Sequence, residues 1–339
     1  MSTSSAAMSR LLATSRRRKS RPEQPRSTRW TYNPMETRRQ ISRICWAYTT
    51  FLAVSTAAPL LLGALLKPLI LIFGESRALT RAALLVSEFA MYGVAFPLFA
   101  WLMGRIPSCE MKEKKKIRLG QFLGMLVFCY GLTYLGNMIG GLFMEAVGIL
   151  RGTAYGNPVA EAIEQMDMGM IFLTTVLIAP VMEELVFRKY LIDRLVPYGQ
   201  KTAVILSGLF FALFHGNFYQ FFYALLLGMV FAWLYSSTGR IRYNIMLHML
   251  INLMGGVLPI MMSHGMDSGN ILALIGYGCI NIFAYISMVI AVIILASHYR
   301  KIPWFSGWVY QEKPIAVILL KTPGFWGFLA GCVLLFVIG

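Results

Sequence analysis

Gly169–Leu191 reads GMIFLTTVLIAPVMEELVFRKYL. Gly169–Met182 carry no charge; then Glu183 and Glu184 interrupt the apolar run before Arg188 and Lys189 close it. A run of about 20 mainly apolar residues crosses the hydrocarbon core of a bilayer as a helix. Ionisable groups inside such a helix are costly and mark functional positions. The stretch therefore reads as a membrane span with two carboxylates in its second half.

Similar stretches recur outward from it. Spans are expected near 46–66, 82–104, 119–141, 202–216, 218–238, 243–263 and 271–297, with 169–191 the fourth in order. A ninth apolar run, 323–339, follows an amphipathic stretch with Trp304, Trp308 and Tyr310, aromatics suited to the membrane interface. Hydrophobic residues make up 57% of the 339 and charged residues 14%, and mean hydropathy is +0.63. No soluble core of this size hides that much apolar surface. The expected fold class is all-α, a polytopic transmembrane helical bundle of about eight core spans plus a C-terminal ninth.

The formal charge is +16, but its distribution argues against nucleic acid. Segments 1–44, 105–118, 188–201, 239–242 and 298–313 hold 26 Lys and Arg, whereas the alternate loops hold four: Lys67, Arg77, Arg81 and Arg151. Excess Lys and Arg mark cytoplasmic loops, so the N-terminus is expected inside. The 151–168 loop, with Glu161, Glu164 and Asp167, is expected outside. Residues 1–44 are polar and basic and read as a disordered cytosolic tail. Residues 45–297 read as one membrane domain with its motif core at 168–256, and 298–339 as an interfacial segment with an extra span. Five cysteines without paired spacing indicate neither a disulfide framework nor a thiolate metal site.

Within the fourth span, Glu184 and Arg188 are i,i+4 and can pair on one face. Glu183 points about 100° away, without a local partner, as suits a group that transfers protons. The fifth span ends Phe211-xxx-His215 and the seventh contains His248-xxx-Asn252. Each pair lies on one helix face, and the second sets an imidazole beside an amide, useful for holding a polarised carbonyl or a water. His264 and His298 fall at span ends and read as solvated. One feature strains this picture: Gly216-Asn217 is the whole turn between two spans, which puts His215 near the outer face and Glu183 deeper. That changes if the fifth helix stops short inside the membrane, where a turn must line protein or water.

Glu183-Glu184-xxx-Arg188, Phe211-xxx-His215 and His248-xxx-Asn252 resemble, in order, the three motifs of the CPBP intramembrane peptidases, which include CAAX-processing endopeptidases and the Abi immunity proteins. The resemblance covers 168–256. It implies a helical membrane endopeptidase acting on a peptide or a membrane protein, with the bilayer as its other partner, and makes 45–297 the peptidase domain. It implies Glu183 as the base activating water, His215 and His248 orienting that water or binding metal, and Asn252 with a histidine stabilising the oxyanion. Glu184, Arg188 and Phe211 would support the site.

The soluble zincin pattern HExxH is absent. A glutamate-activated water without an obligatory cofactor is favoured. A divalent metal such as Zn²⁺, held by Glu183, His215 and His248, is the other reading. The competing classes are a non-catalytic immunity or scaffold protein and a transporter; for the last, Pro180 lacks a matching helix break in a second half. The compact core suggests a bacterial plasma membrane.

Overall fold

The structure, a computed structural model, describes residues 34–73, 82, 85–86, 89, 91–109, 114–152, 156–157, 166–309 and 314–338. Residues 1–33 of the expected tail lie outside these, as do Glu161, Glu164, Tyr310 and most of 82–90 in the second expected span. The described residues contain no strand. They form α1 (Pro34–Phe73), α2 (Phe96–Gly104), α3 (Leu119–Arg151), α4 (Met168–Tyr198), α5 (Gln200–Phe214), α6 (Phe218–Thr238), α7 (Ile241–Asp267), α8 (Ile271–His298), α9 (Ile315–Leu320) and α10 (Pro323–Ile338). Six of these, α1, α3, α4, α6, α7 and α8, are long and apolar enough to cross a membrane. The chain is an all-α polytopic helical bundle. Helices satisfy their own backbone groups, which lipid cannot do for them.

The chain divides into two compact units. One comprises α1, α2, α9 and α10. Here the sequence expectation needs correction: 34–44 are helix, not tail. Thr37, Ile41 and Ile44 form a buried i,i+4,i+7 stripe while Arg38, Arg39 and Arg43 face outward. This amphipathic turn is too charged to register as a span. Gly324, Gly327 and Gly331 let α10 approach α1, where side chains there would meet Ser42, Trp46 and Leu52. Hydropathy also does not foresee that α1 groups with the C-terminal helices in one unit.

The second unit, Cys109–Trp308, contains α3–α8. Small residues set its closest approaches, as membrane packing favours. On α3, a side chain at Gly131 would strike Ser287 of α8, and one at Gly136 would strike the Tyr223 backbone of α6. Gly208 and Gly228 bring α5 onto α6 in the same way.

α5 resolves the difficulty with His215. Its 15 residues reach about 22 Å, short of the roughly 30 Å hydrocarbon core. At its start, Gln200 Nε2 donates to Ser236 and Ser237 at 3.0 Å each, near the end of α6. The two helices therefore share that end. The short one turns back at His215-Gly216-Asn217 before crossing, with Gly216 at φ 66°. Asn217 Oδ1 caps α6 by accepting from Gln220 N at 2.9 Å.

Candidate active site

α4 is irregular where it matters. π-helical segments Phe172–Ile178 and Leu185–Tyr190 bracket the α-helical Ala179–Glu184. Pro180 supplies no backbone N–H, so a carbonyl one turn earlier lacks its helical donor. Thr175 O accepts instead from Asn252 Nδ2 at 2.9 Å. Beyond the site, Lys189 pairs with Asp193 at 2.9 Å, and Tyr235 Oη of α6 donates to the same carboxylate at 2.9 Å. Ser207 Oγ of α5 donates to Phe187 O at 2.7 Å. These contacts fix the register of α4 against both neighbours.

The two adjacent carboxylates receive opposite environments. Glu184 is fully buried. Its Oε2 takes Arg188 Nε at 3.2 Å and Asn244 Nδ2 at 3.2 Å, and its Oε1 faces His248 Nδ1 at 3.0 Å. Arg188, also fully buried, lies 4.3 Å from the centre of the Phe211 ring and 5.4 Å from that of Phe231. A charge this deep persists only with compensation, which here comes from the Glu184 ion pair and the faces of the two rings. Glu183 keeps a quarter of its side chain exposed, and its Oε2 faces His248 Nε2 at 3.6 Å.

The histidine protons follow from their partners. A carboxylate and a carbonyl only accept. His248 Nδ1, beside Glu184, therefore carries hydrogen, and Nε2 faces Glu183 at 3.6 Å, beyond direct hydrogen-bond distance. His215 Nδ1 lies 2.7 Å from Phe211 O and is likewise the protonated nitrogen. Its ring meets Phe211 edge-on at 4.7 Å and lies 6.3 Å from the Tyr223 ring.

The structure thus joins Glu183, Glu184, Arg188 and His248 in one network, with Phe211 packed against Arg188 and both histidines. Asn252 braces the α4 backbone from the same helix as His248. Asn244 was not anticipated, although an amide one turn before His248 in an apolar helix was a visible signal. Tyr223 was also missed; its cue was Asn217-xx-Gln220-xx-Tyr223 following His215. His264 is exposed, in keeping with its expected place at a span end.

Among the described residues, no three His, Cys, Asp or Glu side chains group as metal ligands would, Glu183, His215 and His248 included.

The described residues thus form a polytopic bundle of membrane-type helices in which one fully engaged and one partly exposed carboxylate meet a histidine. Residues 166–254 match the family model described as type II CAAX prenyl endopeptidase Rce1-like. The match supports, for this segment and in general terms, an intramembrane endopeptidase of the CAAX protease kind. No curated protein and no solved structure matches it.

Proposed function

We propose that this protein hydrolyses a peptide bond inside the membrane with a water activated by Glu183, on substrates of the prenylated CAAX type named by the matched family. The observation that carries this is the inequality of the two carboxylates. Glu184 is engaged on both oxygens by Arg188, Asn244 and His248, whereas Glu183 is partly exposed and, among the described residues, meets the Nε2 of His248. Glu183 takes a proton from water as the oxygen attacks the scissile carbonyl, and returns it to the leaving nitrogen as the C–N bond breaks. His248, held by Glu184, orients the water through Nε2, and His215 lines the other side. The N-terminus and the basic loops face the cytoplasm in this reading.

The test is cleavage of fluorogenic peptides, with and without a prenylated cysteine, by purified detergent-solubilised protein beside Glu183→Gln, each with and without chelator. Turnover by the wild type, lost in Glu183→Gln and insensitive to chelator, is expected. Chelator-sensitive turnover would replace the activated-water mechanism with a metal one. A wild type inert on every peptide would move the protein to a non-catalytic scaffold or immunity role.

A further inference from the structure

We propose that the Tyr223 hydroxyl donates the hydrogen bond that stabilises the carbonyl oxygen under attack; this rests on the peptidase reading above. Peptide hydrolysis places negative charge on that oxygen, and a preorganised donor there is usually among the largest catalytic contributions. The groups already assigned are poor in donors. Glu183 is a carboxylate, and both histidines, in their neutral forms, present Nε2 as an acceptor because Nδ1 holds the proton. Asn252 has given one of its two amide hydrogens to Thr175 O, which leaves it one donor.

Tyr223 supplies a donor whose direction can be derived. Gln220 N is a backbone donor, so the Asn217 atom 2.9 Å from it is the acceptor Oδ1. Asn217 Nδ2 then donates to His215 O at 3.0 Å and to Gln220 Oε1 at 2.8 Å. With its oxygen engaged, Gln220 turns Nε2 to the Tyr223 hydroxyl at 2.7 Å. The hydroxyl therefore accepts from Gln220, and its own proton goes elsewhere. No described residue takes it. A backbone donor fixes the Asn217 amide, and Asn217 in turn fixes that of Gln220. The relay starts at the turn that carries His215, whose ring centre lies 6.3 Å from that of Tyr223. The absence of a side chain at Gly136, where a Cβ would strike the Tyr223 backbone, sets the position of the ring.

The experiment compares wild type, Tyr223→Phe, Gln220→Glu and Glu183→Gln on the best peptide of the panel, with thermal unfolding in detergent as the folding control. Tyr223→Phe is expected to lower kcat by about 10²-fold with KM unchanged, and to weaken a phosphinate tetrahedral analogue of that peptide by a similar factor. Gln220→Glu, with its carboxylate ionised, keeps a hydrogen bond to Tyr223 but reverses it, because a carboxylate can only accept the phenol proton. It is expected to reproduce the Tyr223→Phe loss, which a merely structural bond would not. Wild-type kcat in folded Tyr223→Phe, or full activity in Gln220→Glu, overturns the proposal while leaving Glu183 as base. An inactive wild type, or an active Glu183→Gln, overturns the peptidase reading and this proposal with it.

Discussion

His248 stands between two neighbouring carboxylates, its Nδ1 3.0 Å from Glu184 and its Nε2 3.6 Å from Glu183. One imidazole thereby couples a buried structural anion to an open one. The two glutamates, adjacent in sequence and chemically identical, should respond oppositely to the same change.

Glu183→Gln keeps shape and hydrogen-bonding capacity at a partly exposed position. Its thermal midpoint should stay near wild type while activity falls to background. Glu184→Gln still offers His248 an oxygen but strands Arg188, and losing one partner of a buried pair costs about 3–5 kcal/mol. A markedly lower midpoint is expected, with residual turnover per folded molecule. The check is kcat and midpoint measured on both variants; equal stability losses in the two would contradict the division of roles.

Asn244 extends the same argument. Its Nδ2 donates to Glu184 at 3.2 Å and to Phe231 O at 2.7 Å, and it has no exposure. Asn244→Ala removes these donors from a buried carboxylate and a buried carbonyl, a cost of about 1–3 kcal/mol. A lower midpoint should accompany a fall in kcat with little change in KM, since His248 would be less firmly held.

Some of this was legible in the sequence. Span length and charge asymmetry indicated a helical membrane bundle, and i,i+4 spacing paired Glu184 with Arg188 and Phe211 with His215, as found. Contacts set by tertiary packing were not legible. Nothing in the fourth span says that Glu184 meets a histidine 64 residues away. Asn252 looked like a free amide because its acceptor is a backbone carbonyl, exposed by the irregular helix before Pro180. The shortness of α5 was visible only as a conflict over the depth of His215, which the early turn removes.

Asn252 can therefore be separated into two roles. If its contribution is the Thr175 brace, Asn252→Ala should lower stability by about 1 kcal/mol and slow hydrogen exchange should be lost along Phe172–Ile178. If it also touches the substrate, kcat should fall further than Asn244→Ala lowers it. Exchange measured by mass spectrometry, alongside kinetics, distinguishes the two; unchanged exchange would remove the brace.

The last prediction concerns the surface that fixes Tyr223. Gly136 and Gly141 lie on the same helix, and Ala in place of either gains up to about 1 kcal/mol of helix propensity. Their surroundings differ: a Cβ at Gly136 collides with the backbone of Tyr223, whereas nothing lies within 4 Å of one at Gly141. Gly141→Ala should leave stability unchanged or raised and activity intact. Gly136→Ala must push α6 away from α3, moving Tyr223 and the relay it terminates. Both the thermal midpoint and kcat should drop, and the kcat loss should shrink in a Tyr223→Phe background, where the displaced hydroxyl is already gone. Equal behaviour of the two alanine variants would mean that the helix contact at Gly136 does not position the site.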